Sequence, residues 1–145
     1  MYTRPGRELV EYNRLYKEID ELYHGIALNS DLSDSAFTIF YSIYDLGNGC
    51  LQKDICNIAC VSKQTINSSI RNLEKAGYIR LEEGKGRDKH LFLTSAGEQL
   101  VKEKIMPVID AENHVFAKMT KEERSELLRL TQKYLTLLRK KTKDL

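Results

Sequence analysis

Between Ser62 and Thr94 the sequence changes its period twice, and no other stretch limits the possible folds so tightly. Ile66, Ile70 and Leu73 recur at i, i+4 and i+7, the spacing of one buried helix face. Gln64, Asn67, Ser68 and Arg71 keep the same period on the opposite side. Gly77 then stands where a helix ends and the chain must turn. Tyr78-Ile79-Arg80-Leu81-Glu82 alternates as a short strand does. Glu83-Gly84-Lys85-Gly86-Arg87-Asp88-Lys89 is a glycine-punctuated basic loop, and His90-Leu91-Phe92-Leu93-Thr94 reads as the returning strand.

The polar face of that helix is unusual in kind. A solvated face commonly carries long Glu and Lys pairs, whereas this one carries short amides and hydroxyls with one Arg. Those are the groups that hydrogen-bond base edges in a major groove. Upstream, Leu51 to Ala59 fits a short first helix, Ile55 and Ala59 would pack on the second, and Cys60-Val61 makes the turn. Ser62 is placed to cap the second helix by accepting from a free backbone N–H. Helix, short turn, helix is the arrangement that puts the second helix into a groove. Gln64, Thr65, Asn67, Ser68 and Arg71 are therefore candidates for base contact, and Ser62 and Lys63 for the phosphate backbone. Lys85, Arg87 and Lys89 on the loop are candidates for backbone or minor groove. Taken alone, the loop also fits a solvated hairpin tip; the helix beside it favours nucleic acid.

Leu51-Gln52-Lys53-Asp54-Ile55, Val61 to Asn67, Leu73 to Ile79, Arg87 and Leu93-Thr94-Ser95-Ala96-Gly97, in that order, resemble the winged helix-turn-helix core of MarR-family transcriptional regulators. The length and the flanking helices fit as well. The resemblance implies a homodimer on a palindromic operator, a repressor in character, often loosened by a small ligand. Three positions depart from the family pattern. Leu51 stands where many members have a capping Thr, Cys60 where many have Gly, and Lys85 where many have Asp.

At 145 residues the chain reads as one domain, long enough to bury a core. The expected class is mainly α with a small β-hairpin wing. Residues 30–94 form the DNA-binding lobe, and residues 1–29 and 95–145 form a helical dimerisation region. No apolar run approaches the roughly 20 residues a membrane span needs. Met1-Tyr2-Thr3-Arg4-Pro5 has no apolar signal core, so a cytoplasmic location is expected. The net charge of +2 does not announce nucleic acid, but its distribution leans that way. Val61 to His90 carries a net +3, while Ser30 to Cys60 carries −3.

Glu8 to Leu28 and Ser33 to Leu46 read as the first two helices, the second capped by Ser33. Ser95 to about Met119 reads as a long helix in which Pro107 would introduce a kink, and Thr120 to about Lys141 as another, opened by a Thr120/Glu123 capping box. Leu127, Leu128, Leu130, Tyr134, Leu135, Leu137 and Leu138 cover more than one face of that last helix. The surplus points to burial against a second copy, with packing inside one chain as the alternative.

Tyr12, Tyr16, Phe37, Tyr41 and Tyr44 fall on the first two helices. In the family resembled, ligands lie between such helices and the DNA-binding lobe. Aromatic walls would then suit a flat aromatic effector, and the plainer reading is core and dimer packing. Cys50, Cys56 and Cys60 cluster beside the motif, and three readings stand: structural filler, a thiol redox switch, or a soft-metal site. As filler, Cys56 should face the core, away from Lys53, which leaves Cys50 as the most reactive of the three. His24, His90 and His114 are scattered and read as polar edge residues. No triad, paired carboxylate or phosphate loop is present, so neither an enzyme nor a cofactor is expected. A winged-helix protein-interaction module and a redox-sensing regulator are the rival functions.

Overall fold

The computed structural model describes residues 3–145; Met1 and Tyr2, with which the stretch read for a signal begins, lie outside the described residues. The first helix, α1, runs Arg7–Asn29, and α2 runs Asp34–Leu46. Ser33 caps α2 as expected, its hydroxyl accepting from the Ala36 N–H at 3.1 Å. A two-residue strand β1, Cys50–Leu51, leads straight into α3, Gln52–Ala59. Then come α4, Lys63–Lys75, and two strands, β2 Ile79–Glu83 and β3 Lys89–Leu93. A short helix α5, Ser95–Leu100, follows. After it the chain forms α6, Met106–Lys118, and α7, Lys121–Thr142.

The structure corrects one of the sequence expectations and adds detail to two others. The expected hairpin wing, β2 with β3, is extended by β1 to a three-stranded antiparallel sheet in the order β1-β3-β2. Leu51, expected to open the first helix, pairs with His90 and stands ahead of α3 without any side-chain cap. Two residues show no alternation that could announce a strand; the partner creates β1, through Cys50 opposite Leu91. The helix expected from Ser95 to about Met119 is helical throughout to Lys118, but it is not α-wound along its whole length. Val101–Ile105 is wound as a wider π turn just before Pro107. Proline has no N–H to give to the carbonyl four residues back, and its ring crowds that carbonyl, so the widened turn relieves both problems.

Ile105 and Met106 mark the border between two compact units. The core of the first is built from Ile39, Phe40 and Ile43 of α2, Ile55 of α3, and Ile66 and Ile70 of α4, closed by Ile79 and Leu91 of the sheet. Phe40 meets the Tyr78 ring edge-on at 6.0 Å. Burying such side chains is worth about 1.5–3 kcal/mol each, which is what fixes α4 against α2 and α3. His24 on α1 pairs with Asp34 on α2 at 2.9 Å. In the second unit, Thr120 and Glu123 form the expected capping box, Glu123 Oε1 accepting from the Thr120 N–H at 2.8 Å. That bond holds the Glu123 carboxyl below its usual range. Arg124 closes the preceding corner by donating to the Phe116 and Met119 carbonyls.

The turn between α3 and α4 places Cys60 at φ 51°, in the left-handed region. A side chain there costs about 1–2 kcal/mol in backbone strain. Glycine removes that strain but gains about 0.4–1 kcal/mol of freedom in the unfolded chain. Cys60→Gly should therefore stabilise the protein by roughly 0.5–1 kcal/mol, read as a higher denaturation midpoint with unchanged slope. A lower midpoint would mean that the thiol packing outweighs the strain.

Candidate nucleic-acid interface

The two stripes of α4 fall on opposite sides, as their spacing requires. Ile66, Ile70 and Leu73 are buried, while Gln64, Ser68 and Arg71 are exposed. Ser62 caps the helix, accepting from the Thr65 N–H at 3.2 Å. The same hydroxyl engages the Thr65 hydroxyl at 2.8 Å, so Thr65 serves the cap first. Ser62 and Lys63 are exposed at this end, where free backbone N–H groups and the helix dipole favour an anion.

Lys85, Arg87 and Lys89 are all exposed on the wing. The loop between its strands closes on itself, Gly84 N–H donating to the Asp88 carbonyl at 2.8 Å and Asp88 N–H to the Lys85 carbonyl at 3.1 Å. At the base of the wing, Arg80 lies 4.4 Å over the Phe92 ring and also pairs with Glu82. His90 Nδ1 sits 2.8 Å from the Gly49 carbonyl, tying β3 to the segment that enters α3.

Between α3, α4 and the wing lies a cleft of about 520 Å³. Lys63, Asn67 and Arg71 line it from α4, Arg87, Asp88 and Lys89 from the wing, and Gln52, Lys53 and Cys56 from α3. Five cations face it against the single acid Asp88, which pairs at 3.6 Å with Lys53. Of the candidates named on α4 and on the wing, Lys63, Asn67, Arg71, Arg87 and Lys89 thus share one positive concavity. Gln52 and Lys53 belong to it too. Sequence alone did not single them out, because nothing in a short helix tells which of its polar residues the neighbouring wing will face.

Asn67 differs from the other residues of its stripe in being half-buried. Its Oδ1 accepts a hydrogen bond from Gln52 Nε2.

The cysteines sit differently from the expectation. Cys56 is half-buried and lines the cleft together with Lys53, rather than turning to the core away from it. The fourth position after Gln52 on a helix shares its side, and Gln52 faces the cleft. Cys50, expected to be the most reactive of the three, is held in the sheet, where burial pushes its thiol pKa up and the nearby Asp54 adds to the rise against a lowering backbone hydrogen bond. A raised pKa lowers the thiolate fraction and so the reactivity. Cys60 is exposed. Among the described residues, no three His, Cys, Asp or Glu side chains gather as a metal site.

The aromatic candidates form two ring pairs, each within its own helix. Tyr12 and Tyr16 stand 6.4 Å apart on the exposed face of α1. Phe37, buried, and Tyr41, half-buried, stand 6.2 Å apart on α2. Tyr44 is exposed.

A helix pair joined by a tight turn, its second helix beside a cationic three-stranded wing, defines a winged helix-turn-helix protein. Residues 30–88 match the model of the MarR family. No curated protein sequence matches the chain significantly. Among solved structures, the MarR-family regulator NMB1585 of Neisseria meningitidis superposes with a TM-score of 0.82 at 20% identity, over 96% of this chain and 99% of that one. MepR of S. aureus, solved as a DNA complex, gives 0.70 at 19% identity, over 93% and 99%. BpsR of Bordetella bronchiseptica, whose DNA binding is regulated by 6-hydroxynicotinic acid, gives 0.64 at 18% identity, over 86% and 98%. At such identities the likeness is one of fold. Residues 30–88 thus carry the MarR-family match, and the chain has the winged-helix fold of the MarR-family regulators on which it superposes. No helix among the described residues is long and apolar enough to cross a membrane.

Proposed function

We propose that this protein is a cytoplasmic homodimeric repressor that reads a palindromic duplex and is released by a small aromatic effector. The observation that carries the DNA reading is the exposed face of α4, where Gln64, Ser68 and Arg71 stand opposite a buried apolar stripe. With α4 in the major groove and Lys85, Arg87 and Lys89 at the minor groove, the phosphates between them run along the cationic cleft. A protein-interaction surface would not call for this combination of short amides and clustered cations.

The second copy is supported by apolar surface left uncovered. Leu9, Tyr16, Ile19 and Leu22 are exposed on α1. On α7, Leu127, Leu128, Leu130, Leu135, Leu137 and Leu138 are exposed and no residue is buried. Apolar area on this scale marks an association face. Two-fold symmetry then delivers two α4 helices to half-sites about one helical turn apart. For the effector, Tyr12, Tyr16, Phe37, Tyr41 and Tyr44 offer aromatic surface on α1 and α2, and BpsR, similar in fold, responds to a flat aromatic acid.

Two substitutions separate positioning from reading. Arg87→Ala should weaken specific and random DNA alike and flatten the salt dependence by about one unit of slope, as a phosphate contact is lost. Gln64→Ala should cost about 1–3 kcal/mol at the cognate site and leave random DNA nearly unaffected. Titrations of both duplexes at two salt concentrations read both effects. An Arg87→Ala protein with parental affinity at both salts removes Arg87 from the interface, and an equal loss on both duplexes moves Gln64 to the backbone.

A further inference from the structure

Asn67 stands in the middle of the reading face, between Gln64 and Arg71, and its amide is already committed at one end. Gln52 is the first residue of α3, and its Nε2 donates across the motif to Asn67 Oδ1. Both side chains are half-buried and both line the cationic cleft. A side-chain amide has an acceptor end and a donor end pointing apart. Once Oδ1 is turned to Gln52, the Nδ2 hydrogens are directed elsewhere, and a free asparagine's choice between two flipped orientations is gone. The pairing of a free asparagine with adenine uses both ends at once, donating to N7 and accepting from N6. Asn67 held by its oxygen can make only the donating half.

We infer that Gln52 is a specificity-determining positioning residue: it holds Asn67 so that its amide donor, not its carbonyl, meets the base edge. This rests on the DNA reading proposed above. The prediction is a preference for acceptor edges (guanine O6 and N7, adenine N7, thymine O4) at the base pair Asn67 meets, and discrimination there against the exposed amino group of cytosine.

The test is selection of bound duplexes from a random pool, using the full-length parent, Gln52→Glu and Gln52→Ala. A carboxylate only accepts, so Glu at this position must hold Asn67 by Nδ2 and turn Oδ1 outward. The change sits in the first turn of α3, where a negative charge suits the helix dipole, so folding should survive it. The added charge weakens all duplexes together, so the ratio between duplexes is the readout. Gln52→Glu should move the preference at one base pair toward amino-bearing edges, adenine N6 or cytosine N4, changing the ratio roughly 5- to 150-fold. Gln52→Ala should broaden the preference at that pair alone. In the Gln52→Glu, Asn67→Ala double variant the shift should vanish. Identical selected sequences for the parent and Gln52→Glu, or a shift that persists without Asn67, overturn the inference while leaving the DNA reading intact. A parent that selects no sequence overturns the DNA reading and the inference with it.

Discussion

Gly97→Ala should destabilise this protein by about 3 kcal/mol or more, at the upper end of what overpacking costs. A Cβ at this position would lie 2.0 Å from the Tyr78 carbonyl oxygen, far inside any real contact. The obstacle is backbone, and it is pinned. Tyr78 O accepts from the Thr94 N–H at 3.0 Å, and Thr94 Oγ1 donates to the Gly77 carbonyl at 2.5 Å while accepting from the Gly97 N–H at 3.2 Å. The Tyr78 ring packs edge-on against the fully buried Phe40, so a shift of Tyr78 reaches the core. Relief must break the α5 cap, the crossing of β2 with the chain after β3, or the aromatic pair. A domain of this kind holds only about 5–15 kcal/mol in total, so the loss should show as a fall of many degrees in thermal midpoint. Ser95→Ala, at an exposed site on the same helix, serves as the control. A Gly97→Ala protein melting with the parent would show that α5 can slide without cost.

Ending the chain at Thr120 should abolish specific binding of a palindrome. The truncation removes the whole of α7, whose leucines are exposed along its length. If α7 supplies the association face, the shortened protein should sediment at its own mass or aggregate, whereas the intact protein should sediment near twice 16.8 kDa. Two heads joined on one site gain an effective concentration that one head lacks, commonly worth about 10²–10⁴ in affinity. Loss of at least about a hundredfold at the palindrome, with residual salt-sensitive binding to any duplex, is the expected pattern. A truncated monomer that holds the palindrome as tightly as the parent would remove the two-fold model.

The elements legible in the sequence are those written in local chemistry. The Ser62 and Ser33 caps, the Thr120/Glu123 box and the buried stripe Ile66, Ile70 and Leu73 each depend on residues within two turns of one another, and each stands where the spacing put it. Gly77, at φ 82°, ends α4 by the ordinary left-handed exit. What escaped depends on partners far along the chain. Strand β1 exists only because Leu91 and His90 lie opposite it. Gln52 meets Asn67 fifteen positions away, and Lys53 meets Asp88 across the cleft. Cys56 could be assigned a side only once the wing was in place beside α3. The polar residues of α4 were readable as a set, but periodicity says nothing of hydrogen bonds to another helix, so Asn67 looked as free as Gln64.

The position of β3 in the middle of the sheet has a consequence for how such a protein can be retuned. On one side β3 pairs with the strand that runs directly into α3, and on the other with the strand that leaves α4. The wing is thereby clamped at its root to both ends of the helical motif. The Gly84–Asp88 tip lies beyond the paired strands, closed on itself by backbone bonds and tied to α3 through the Asp88–Lys53 pair. Reach and aim are consequently separable. A tip of different length or charge can be grafted between Glu83 and Asp88, keeping the Asp88–Lys53 pair, while α4, the helix proposed to read sequence, keeps its bearing.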